Sequence, residues 1–325
     1  MLSFGVSFAD PTLYGWVDQS HTGRETTTQA GTKSTKNSWN SSQGGSSAVG
    51  VKGDEDLGDG LKASYLIEWA ISSDTSTANG KNRQSYVGLD GAFGGIKIGL
   101  QYTPSFNAFA AVDPSGISDF DGYLYMNGYQ KANGFYYNSP NLGGFTAILG
   151  AHEGEQANSS QGNSTTFGAT YVSGPLYASF TQQTTTKGTG RLSLTSNNTF
   201  GSSSAGELTL RTFAATYDLG VAKVGVINEN FDSSSDSSGA KTTHVSVSVP
   251  FGAFTVGAIV GTGSYTNAGS TTSVDMNSTG ITVDYALSKR AKIYFRAGET
   301  NDKSSTATTD TAKATSTVLG LAVAF

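Results

Sequence analysis

Apolar and polar residues alternate along most of this chain. In the segment KASYLIEWAI, every second residue from Ala63 to Ile71 is apolar, whereas Lys62 and Glu68 lie on the other face. The segments GGIKIGLQY, THVSVSV and GITVDYAL repeat the pattern, which places Tyr102 with the apolar residues of its segment. Successive side chains of a β-strand point to opposite sides, so this period is typical of strands with one apolar and one polar face. The pattern predicts an all-β protein.

Short and long connections alternate between the predicted strands. The short, Gly- or Pro-rich turns lie at residues 57–60, 92–95, 140–144, 173–175, 219–220, 250–252 and 287–290. The long polar segments lie at about residues 21–45, 72–80, 103–133, 153–163, 185–205, 229–240, 263–275 and 301–311. These fifteen connections join sixteen strands, and their alternation places every long connection at one end of an up-and-down antiparallel sheet.

The polar face of each strand decides between two architectures. A soluble sandwich would bury one face of every strand in a dry core, and the second face is too polar for a further closed layer. A barrel of sixteen strands is too wide for side chains to fill, so it leaves an aqueous lumen. Its apolar face turns outward to lipid, its polar face lines water, and closure pairs the backbone groups of every strand. The sequence therefore predicts a 16-stranded antiparallel transmembrane β-barrel.

Composition excludes several classes of function. The chain has 42 Gly among 325 residues, no Cys, and a net charge of −5. A nucleic-acid partner needs a basic face, and thiolate metal sites need Cys, so neither is predicted. The three His residues are scattered and no nucleophile elbow or P-loop occurs, so the sequence indicates neither an enzyme nor a cofactor. The acidic cluster of residues 54–56 and Asp59 could bind Ca²⁺ through carboxylate oxygens, and a solvated turn is the favoured interpretation.

Both ends of the chain carry a recognisable sequence pattern. The first nine residues, MLSFGVSFA, are apolar and end in a small-x-small sequence like that of a secretory cleavage site. Residues 1–9 are interpreted as a signal-peptide remnant, with an ordered tail as the alternative, and residues 10–325 as one transmembrane β-barrel domain. At the other end, Phe325 shares a face with Leu319, Leu321 and Val323, which is the pattern of a last strand that closes on the first.

Four segments in the first half of the chain carry a family resemblance. They are TLYGWVDQS at 12–20, GDEDLGDGLKA at 53–63, NRQSYVGLDGAFGGIKIGLQYTP at 82–104 and FYYNSPNLGGFTAILGAHE at 135–153. Together they resemble the Gram-negative trimeric porins of the neisserial and beta-proteobacterial kind. The second segment is similar to that family's G-S-E-D-L-G-x-G-L-K-A turn, with Asp54 in place of the usual Ser.

The resemblance implies a location, an assembly and a function. It implies a homotrimer of barrels in the outer membrane of a Gram-negative bacterium, with long external loops and short periplasmic turns. Ions and small hydrophilic solutes would diffuse passively through each barrel, with no cofactor. The implied partners are outer-membrane lipid, lipopolysaccharide, and the barrel-assembly machinery, which would act through the C-terminal strand and Phe325.

In porins of this kind the third long loop folds into the lumen and forms the constriction. Here that loop spans 104–133, and DPSGISDFDGYLYMNG stands where the family commonly has a P-E-F-G stretch. The expected acidic side of the constriction consists of Asp113, Asp119 and Asp121, with ordinary solvated loop residues as the alternative. The candidate lumen aromatics are Trp16, Tyr123 and Tyr125.

Basic residues on the opposing wall would complete the constriction. Most of them alternate with the lipid-facing residues of their strand and should therefore point inward, which is called strand parity below. A position at the rim or in a subunit interface is the alternative for each. Arg83 lies on the same side of its strand as the lipid-facing Val87, whereas the resemblance implies a pore role, which would need a bulge or a strand start between the two residues. The predicted basic wall consists of Lys52, Arg83, Lys97, Arg211 and Arg296. Such charges select ions by a local potential.

Three functions remain open from the sequence. The first is a general diffusion porin, and the second is a channel specific for a solute such as a sugar or organic acid. The aromatic candidates Trp16, Tyr123 and Tyr125 are the support for the second. The third is a plugged barrel that acts as an adhesin. The sequence does not decide between anion and cation preference, because inward basic residues and acidic residues are similar in number.

Overall fold

The computed structural model shows an all-β architecture with one short helix among the residues that it describes. Those residues are 11–28, 30–41, 43–45, 47–75, 80–114, 130–131, 133–157, 160, 162–186, 192–194, 198–200, 206–234, 238–266, 272–304 and 312–325. The proposed signal remnant at 1–9 lies outside this set. No helix within these ranges is long and apolar enough to cross a membrane.

The described secondary structure comprises twenty strand segments and the helix α1 (Pro104–Val112). The first ten strands are β1 (Thr12–Thr27), β2 (Lys33–Asn40), β3 (Ala48–Gly58), β4 (Leu61–Ala70), β5 (Lys81–Gly91), β6 (Gly94–Tyr102), β7 (Gln130–Lys131), β8 (Gly134–Asn138), β9 (Phe145–His152) and β10 (Ser164–Ser173). The others are β11 (Leu176–Thr185), β12 (Leu192–Leu194), β13 (Asn198–Phe200), β14 (Leu208–Asp218), β15 (Lys223–Ser233), β16 (Gly239–Phe251), β17 (Phe254–Thr266), β18 (Ser273–Ala286), β19 (Ala291–Ser304) and β20 (Ala312–Ala324).

These segments form a closed antiparallel barrel of sixteen strands, as predicted. Segments β2 and β3 both pair with β1 and make up the second barrel strand, and β7 and β8 both pair with β6 and make up the sixth. Segments β12 and β13 form a separate hairpin. The barrel closes where β20 pairs with β1, from Trp16 opposite Ala324 to Thr27 opposite Lys313.

The closing seam extends one residue beyond β20. The Phe325 N–H donates to the Gly15 carbonyl at 3.0 Å, and the Gly15 N–H donates to the Phe325 carbonyl at 3.3 Å. A Cβ on Gly15 would lie 2.5 Å from the Phe325 ring, so only Gly leaves room for this aromatic side chain. Leu319 and Leu321 lie exposed on the same outer face. The structure thus shows the predicted contact between the last strand and the first.

The two faces of the wall differ as the sequence pattern predicts. On the outer face, Val245 is 55% exposed and Ile281 is 51% exposed. Their neighbours His244, Ser246 and Thr282 point inward and are buried. The same division holds for most residues of the other alternating segments, and a ring of exposed apolar side chains is what a lipid-facing surface requires.

Loop positions match the prediction better than loop lengths do. All seven short turns occur where expected. On the side of the long loops, however, the strands continue beyond the last residue of the apolar–polar alternation. β1 continues to Thr27 and β2 starts at Lys33, inside the segment predicted as a loop at 21–45. β15 likewise continues to Ser233. From Thr22 to Thr27, β1 carries only polar residues and Gly on both faces, so the backbone ladder continues where the apolar face has already ended.

Helix α1 follows β6 and crosses the lumen, as predicted for the third loop. Thr103 caps it, because its Oγ1 accepts from the Phe106 N–H at 3.2 Å, and Pro104 occupies the first turn. The hydroxyl of Ser105 lies 2.9 Å from that of Thr181 on β11. The Ser246 hydroxyl on β16 donates to the carbonyl at the helix end at 2.6 Å. β11 and β16 are not neighbours of β6 in the wall, so the helix spans the barrel interior.

Candidate functional site

A cavity of about 1130 Å³ lies inside the barrel, bordered by α1 and by the wall around the closing seam. Trp16 from β1, Tyr102 from β6 and Phe106 from α1 contribute aromatic rings to it. Five basic residues line it, and none of the described lining residues is acidic. The basic residues are Lys81, Arg83, Lys289, Arg290 and Lys292.

Arg83 reaches this cavity because β5 carries an irregularity in its register. Glu68 on β4 pairs with Gln84, and Trp69 pairs with Asn82, so Arg83 is one extra residue without a ladder partner. A β-bulge of this kind changes the direction of a side chain. Arg83 therefore leaves the outer face that it would share with Val87 and points into the lumen.

The Arg83 side chain is held from three directions. Its Nε donates to Glu68 Oε1 at 2.8 Å, and its Nη2 donates to the Tyr102 hydroxyl. The guanidinium carbon lies 5.8 Å from the centre of the Trp16 ring and 5.9 Å from that of Tyr102. Glu68 is itself buried and accepts from the Tyr14 hydroxyl at 2.8 Å. This network fixes the orientation of the guanidinium.

Lys52 and Lys97 also lie on the inner face, where parity places them. The Lys52 Nζ lies 5.2 Å from the centre of the Tyr14 ring, and the Lys97 Nζ lies 4.8 Å from that of Tyr86. Both distances are within the range of cation–π attraction. Lys97 borders a second, smaller space of about 200 Å³ together with Asn107 of α1.

Arg296 lies on the inner side of β19 but does not face water. Its side chain is fully buried, and its guanidinium pairs with Asp284 on β18. Lys292 donates to the same carboxylate at 2.7 Å and lines the main cavity. The ring of Tyr294 lies 4.8 Å from the Arg296 guanidinium. The structure thus places Arg296 in the wall behind the cavity.

Arg211 is on the opposite side of the wall from the predicted one. It shares the outer face of β14 with Phe213, donates to Gln182 at 3.0 Å and pairs with Asp232 at 2.8 Å. The assignment of Arg211 to the pore wall is therefore wrong. Parity failed here because Leu208 and its neighbours at this end of β14 point inward, into an apolar cluster inside the barrel.

The interruption of the second barrel strand borders the same cavity. Between β2 and β3 the described residues include Gly44 and Gly45, and both line the cavity. The Gly44 N–H donates to Asp18 Oδ2 at 2.6 Å, and the Asp18 N–H donates to the Ser47 hydroxyl at 2.9 Å. The Tyr294 hydroxyl also donates to Asp18, and a Cβ on Gly44 would lie 2.5 Å from the Tyr294 ring. This segment is anchored against the inner wall.

Several predicted site residues do not contribute to the described cavity. Asp113 caps the C-terminal end of α1, with its N–H donating to the Phe109 carbonyl at 3.0 Å, and does not line the cavity. The predicted residues outside the described part of the chain are Asp119, Asp121, Tyr123 and Tyr125. An acidic side of the constriction stays a prediction.

Sequence reasoning missed four features of the site. Tyr102 was expected to face lipid, but its ring packs on Phe106 with 4.5 Å between the ring centres. Gly99, which has a φ of +126°, interrupts the regular strand just before it. The Thr-Pro start of α1 at 103–104 was the signal that the chain turns inward here. Lys81, the basic turn at 289–290 and the Gly-rich segment at 44–45 carried no recognisable motif.

Comparison with known proteins identifies the family. The family model for the Gram-negative porin matches residues 2–305. The chain belongs to the Gram-negative porin family. This confirms the predicted resemblance and places the protein in the outer membrane of a Gram-negative bacterium. The relatives that match this chain are porins, which are channels rather than enzymes.

Two curated porins show the extent of the sequence similarity. Outer membrane porin protein 32 of Delftia acidovorans is 32% identical over 195 residues, which cover 55% of this chain and 52% of that protein. Major outer membrane protein P.IB of Neisseria gonorrhoeae is 33% identical over 139 residues, covering 41% of this chain and 40% of that protein. The matched region of the chain spans about half or less of the length of these relatives.

Solved structures match over almost the whole chain. The anion-selective porin from Comamonas acidovorans superposes with a TM-score of 0.80 at 22% identity, covering 97% of this chain and 99% of that one. The trimer form of OmpT from Vibrio cholerae superposes with a TM-score of 0.71 at 15% identity, with the same coverage. At these identities the similarity establishes the fold alone.

Proposed function

We propose that the protein is a channel for passive diffusion of ions and small hydrophilic solutes, with a preference for anions. Family membership and the open cavity beside α1 support the channel. The observation that carries the anion preference is the cavity lining, which has five basic residues and no acidic one among the described residues.

The five basic residues along the cavity differ in how strongly their charge acts on ions in the lumen. Lys292 and Arg83 each pair with a carboxylate, which offsets part of their field. Lys81, Lys289 and Arg290 have no acidic partner in the described ranges, so their positive potential acts on the water column. Charged walls of one sign raise the local concentration of counter-ions without binding them tightly. The anion selectivity named for the Comamonas acidovorans porin, which has the same fold, agrees with this proposal.

The test is a reversal-potential measurement on purified protein in planar bilayers. Under a tenfold KCl gradient, we expect single-channel steps whose reversal potential has the sign of chloride permeation. A reversal potential near zero, or of the potassium sign, would contradict the anion preference. The absence of conductance steps from protein that is folded by circular dichroism would contradict the channel itself.

The proposed assembly is a homotrimer. The trimer form of the Vibrio cholerae relative and the shared barrel fold support it. Outer-membrane lipid, lipopolysaccharide and the barrel-assembly machinery are proposed as partners on the same family grounds. Cross-linking in native membranes should give a band at three times the monomer mass, and a monomer band alone would contradict the trimer.

A solute-specific channel is the second candidate. The specific observation in its favour is the set of three aromatic rings beside Arg83, since a channel that acts by charge alone does not require them. A plugged barrel that acts as an adhesin receives no such support, because the described cavity is large and extends to the short β18–β19 turn.

A further inference from the structure

We propose that the lumen holds a weak binding site for small aromatic carboxylates, formed by Arg83 and the rings of Trp16, Tyr102 and Phe106. The inference rests on the proposed channel function and names the class of solute that the channel would favour. It follows from the hydrogen-bond capacity of Arg83, from its fixed orientation and from the rings around it.

Arg83 has hydrogen-bond donors left over. A guanidinium carries five N–H donors, of which the described contacts use the Nε–H for Glu68 and one Nη2–H for Tyr102. Three donors therefore have no partner among the described residues, and the side chain borders the cavity with 17% of its surface exposed. Neighbouring guanidinium N–H groups match the two oxygens of a carboxylate in a bidentate geometry.

The orientation of Arg83 is set before any solute arrives. Glu68 is buried and is held on its other oxygen by Tyr14, so the Arg83–Glu68 pair cannot rotate freely. A pre-oriented donor loses little side-chain entropy when it binds. Glu68 offsets the Arg83 charge, and Lys81, which lies two residues earlier on β5, adds a positive charge to the same cavity. The site is therefore both oriented and net positive.

The aromatic rings supply a second kind of contact. The Trp16 and Tyr102 rings lie on the guanidinium at 5.8 and 5.9 Å, and Phe106 continues the aromatic surface from Tyr102 into the cavity. A solute with its carboxylate on Arg83 would place a directly attached ring against these side chains. Aromatic pairs contribute about 0.5–1.5 kcal/mol beyond simple burial. Chloride and acetate gain nothing from this surface, so the arrangement favours aromatic over small aliphatic anions.

The site must also release its solute. The cavity of about 1130 Å³ exceeds the roughly 300–1,000 Å³ of pockets that enclose a small ligand. A benzoate-sized anion would keep much of its surface in water, and we expect a dissociation constant on the order of millimolar. Binding of this strength concentrates the solute in the channel and still permits it to leave.

Chloride current through single channels tests the proposal with four probes. Benzoate carries both the ring and the charge, acetate lacks the ring, cyclohexanecarboxylate has a ring that is not aromatic, and benzyl alcohol lacks the charge. We expect benzoate to reduce the current in a saturable way, at concentrations about 2–12-fold lower than cyclohexanecarboxylate requires, as the stacking energy implies. Acetate, which lacks a ring altogether, should be weaker than both, and benzyl alcohol should have no effect.

Matched variants locate the effect. Trp16→Leu should remove most of the difference between benzoate and acetate, and Arg83→Gln should weaken the block by both anions. Trp39→Leu is the control for the first variant, because Trp39 lies exposed on β2 away from the cavity. Arg211→Gln is the control for the second, because Arg211 lies on the outer face.

The outcomes separate this inference from the proposed function. Equal potency of benzoate, cyclohexanecarboxylate and acetate in an anion-selective wild-type channel would overturn the aromatic site and leave the channel function standing. This comparison needs no variant, so it holds even if Trp16→Leu fails to fold. A wild-type channel without anion preference would instead overturn the proposed function.

Discussion

Two arginines of this chain show how the position of a single residue decides which face of the barrel wall it joins. Arg83 and Arg211 each pair with a carboxylate on a neighbouring strand at 2.8 Å. The extra residue at the β5 bulge turns Arg83 inward, whereas the regular ladder of β14 leaves Arg211 outside. Both arginines therefore form a similar ion pair, but Arg83 lies in the lumen, where it can act on permeating ions.

Replacing Arg83 with Gln should reduce the anion preference. Removing a unit charge at roughly 7 Å raises the energy of an anion and lowers that of a cation by about 0.6 kcal/mol each in water, which is about a sevenfold change in the ratio of anion to cation permeability. The reversal potential under a KCl gradient measures this ratio at low ionic strength, where screening is weak.

Arg211→Gln provides the matched control for this prediction. It removes the same charge from the outer face, beyond the reach of the water column, and should leave the reversal potential unchanged. Equal shifts in both variants would show that the field of Arg83 is not specific to the lumen.

The alternation of side chains predicted the face of most residues correctly where the ladder was regular, with Arg211 as the exception. Lys52, Lys97 and Trp16 lie on the inner side, as their sequence positions require. Arg211 failed because Leu208 and Leu210 point inward and are buried with Phe231 and Met276, so the apolar face changes sides at this end of the strand. The sequence shows a change of phase between Leu210 and Phe213, but not which of the two groups points inward, because that depends on what packs inside the barrel.

At the scale of elements, two inward segments of the described part of the chain border the main cavity. One is α1, which the family resemblance predicts, and the other is the interruption between β2 and β3 at 44–45, which it does not. The sequence there is rich in Gly and Ser and reads as part of a long external loop. Its hydrogen bonds with Asp18 and the close approach of Gly44 to the Tyr294 ring show that it turns inward.

Asp18→Ala should release the segment at 44–45 and widen the channel. Asp18 is buried and accepts from the Gly44 N–H and the Tyr294 hydroxyl. Removing the carboxylate leaves two donors without their acceptor, at a cost of about 1–3 kcal/mol each. We expect a higher single-channel conductance. We also expect a lower unfolding temperature, measured by electrophoresis of samples that are heated to a series of temperatures. The control is Asp275→Ala, because Asp275 is an exposed residue on β18. An unchanged conductance in Asp18→Ala would contradict the anchoring role.

Phe109→Ala should loosen α1. Phe109 is almost fully buried beside Ala214 and Ile227 of the inner wall. A Phe-to-Ala change in a packed site costs about 3–5 kcal/mol, which here falls on the docking of the helix. We expect larger current noise in single-channel recordings and faster proteolysis after α1. Phe213→Ala removes the same ring from the outer face of β14, next to Ala214, and should change neither property. Quiet recordings from Phe109→Ala would argue against α1 as an element that sets the lumen.

At the scale of the whole molecule, the barrel joins an apolar outer band to a polar zone near the long loops. Val260 on β17 is exposed on the outer face and pairs with Val245 and Thr279. Four residues further along the same face, Ser264 pairs with Lys241 and Asp275. The change from valine to charged neighbours marks the edge of the lipid-facing band. The alternation in the sequence predicts the apolar band. It does not predict the edge of the band, because the strands stay paired across the edge and no strand end marks it.

Placing an arginine on either side of that edge tests the position of the membrane. Val260→Arg inserts a charge into the apolar band and should destabilise the barrel by about 2–4 kcal/mol, whereas Ser264→Arg should cost about 0–1 kcal/mol. Unfolding by denaturant in lipid vesicles measures both free energies. The two positions share a strand, a face and a ladder, so they differ mainly in their distance from the hydrocarbon. A similar loss of stability in both variants would place the edge of the lipid band elsewhere, and no loss in either would show that the outer face does not contact lipid.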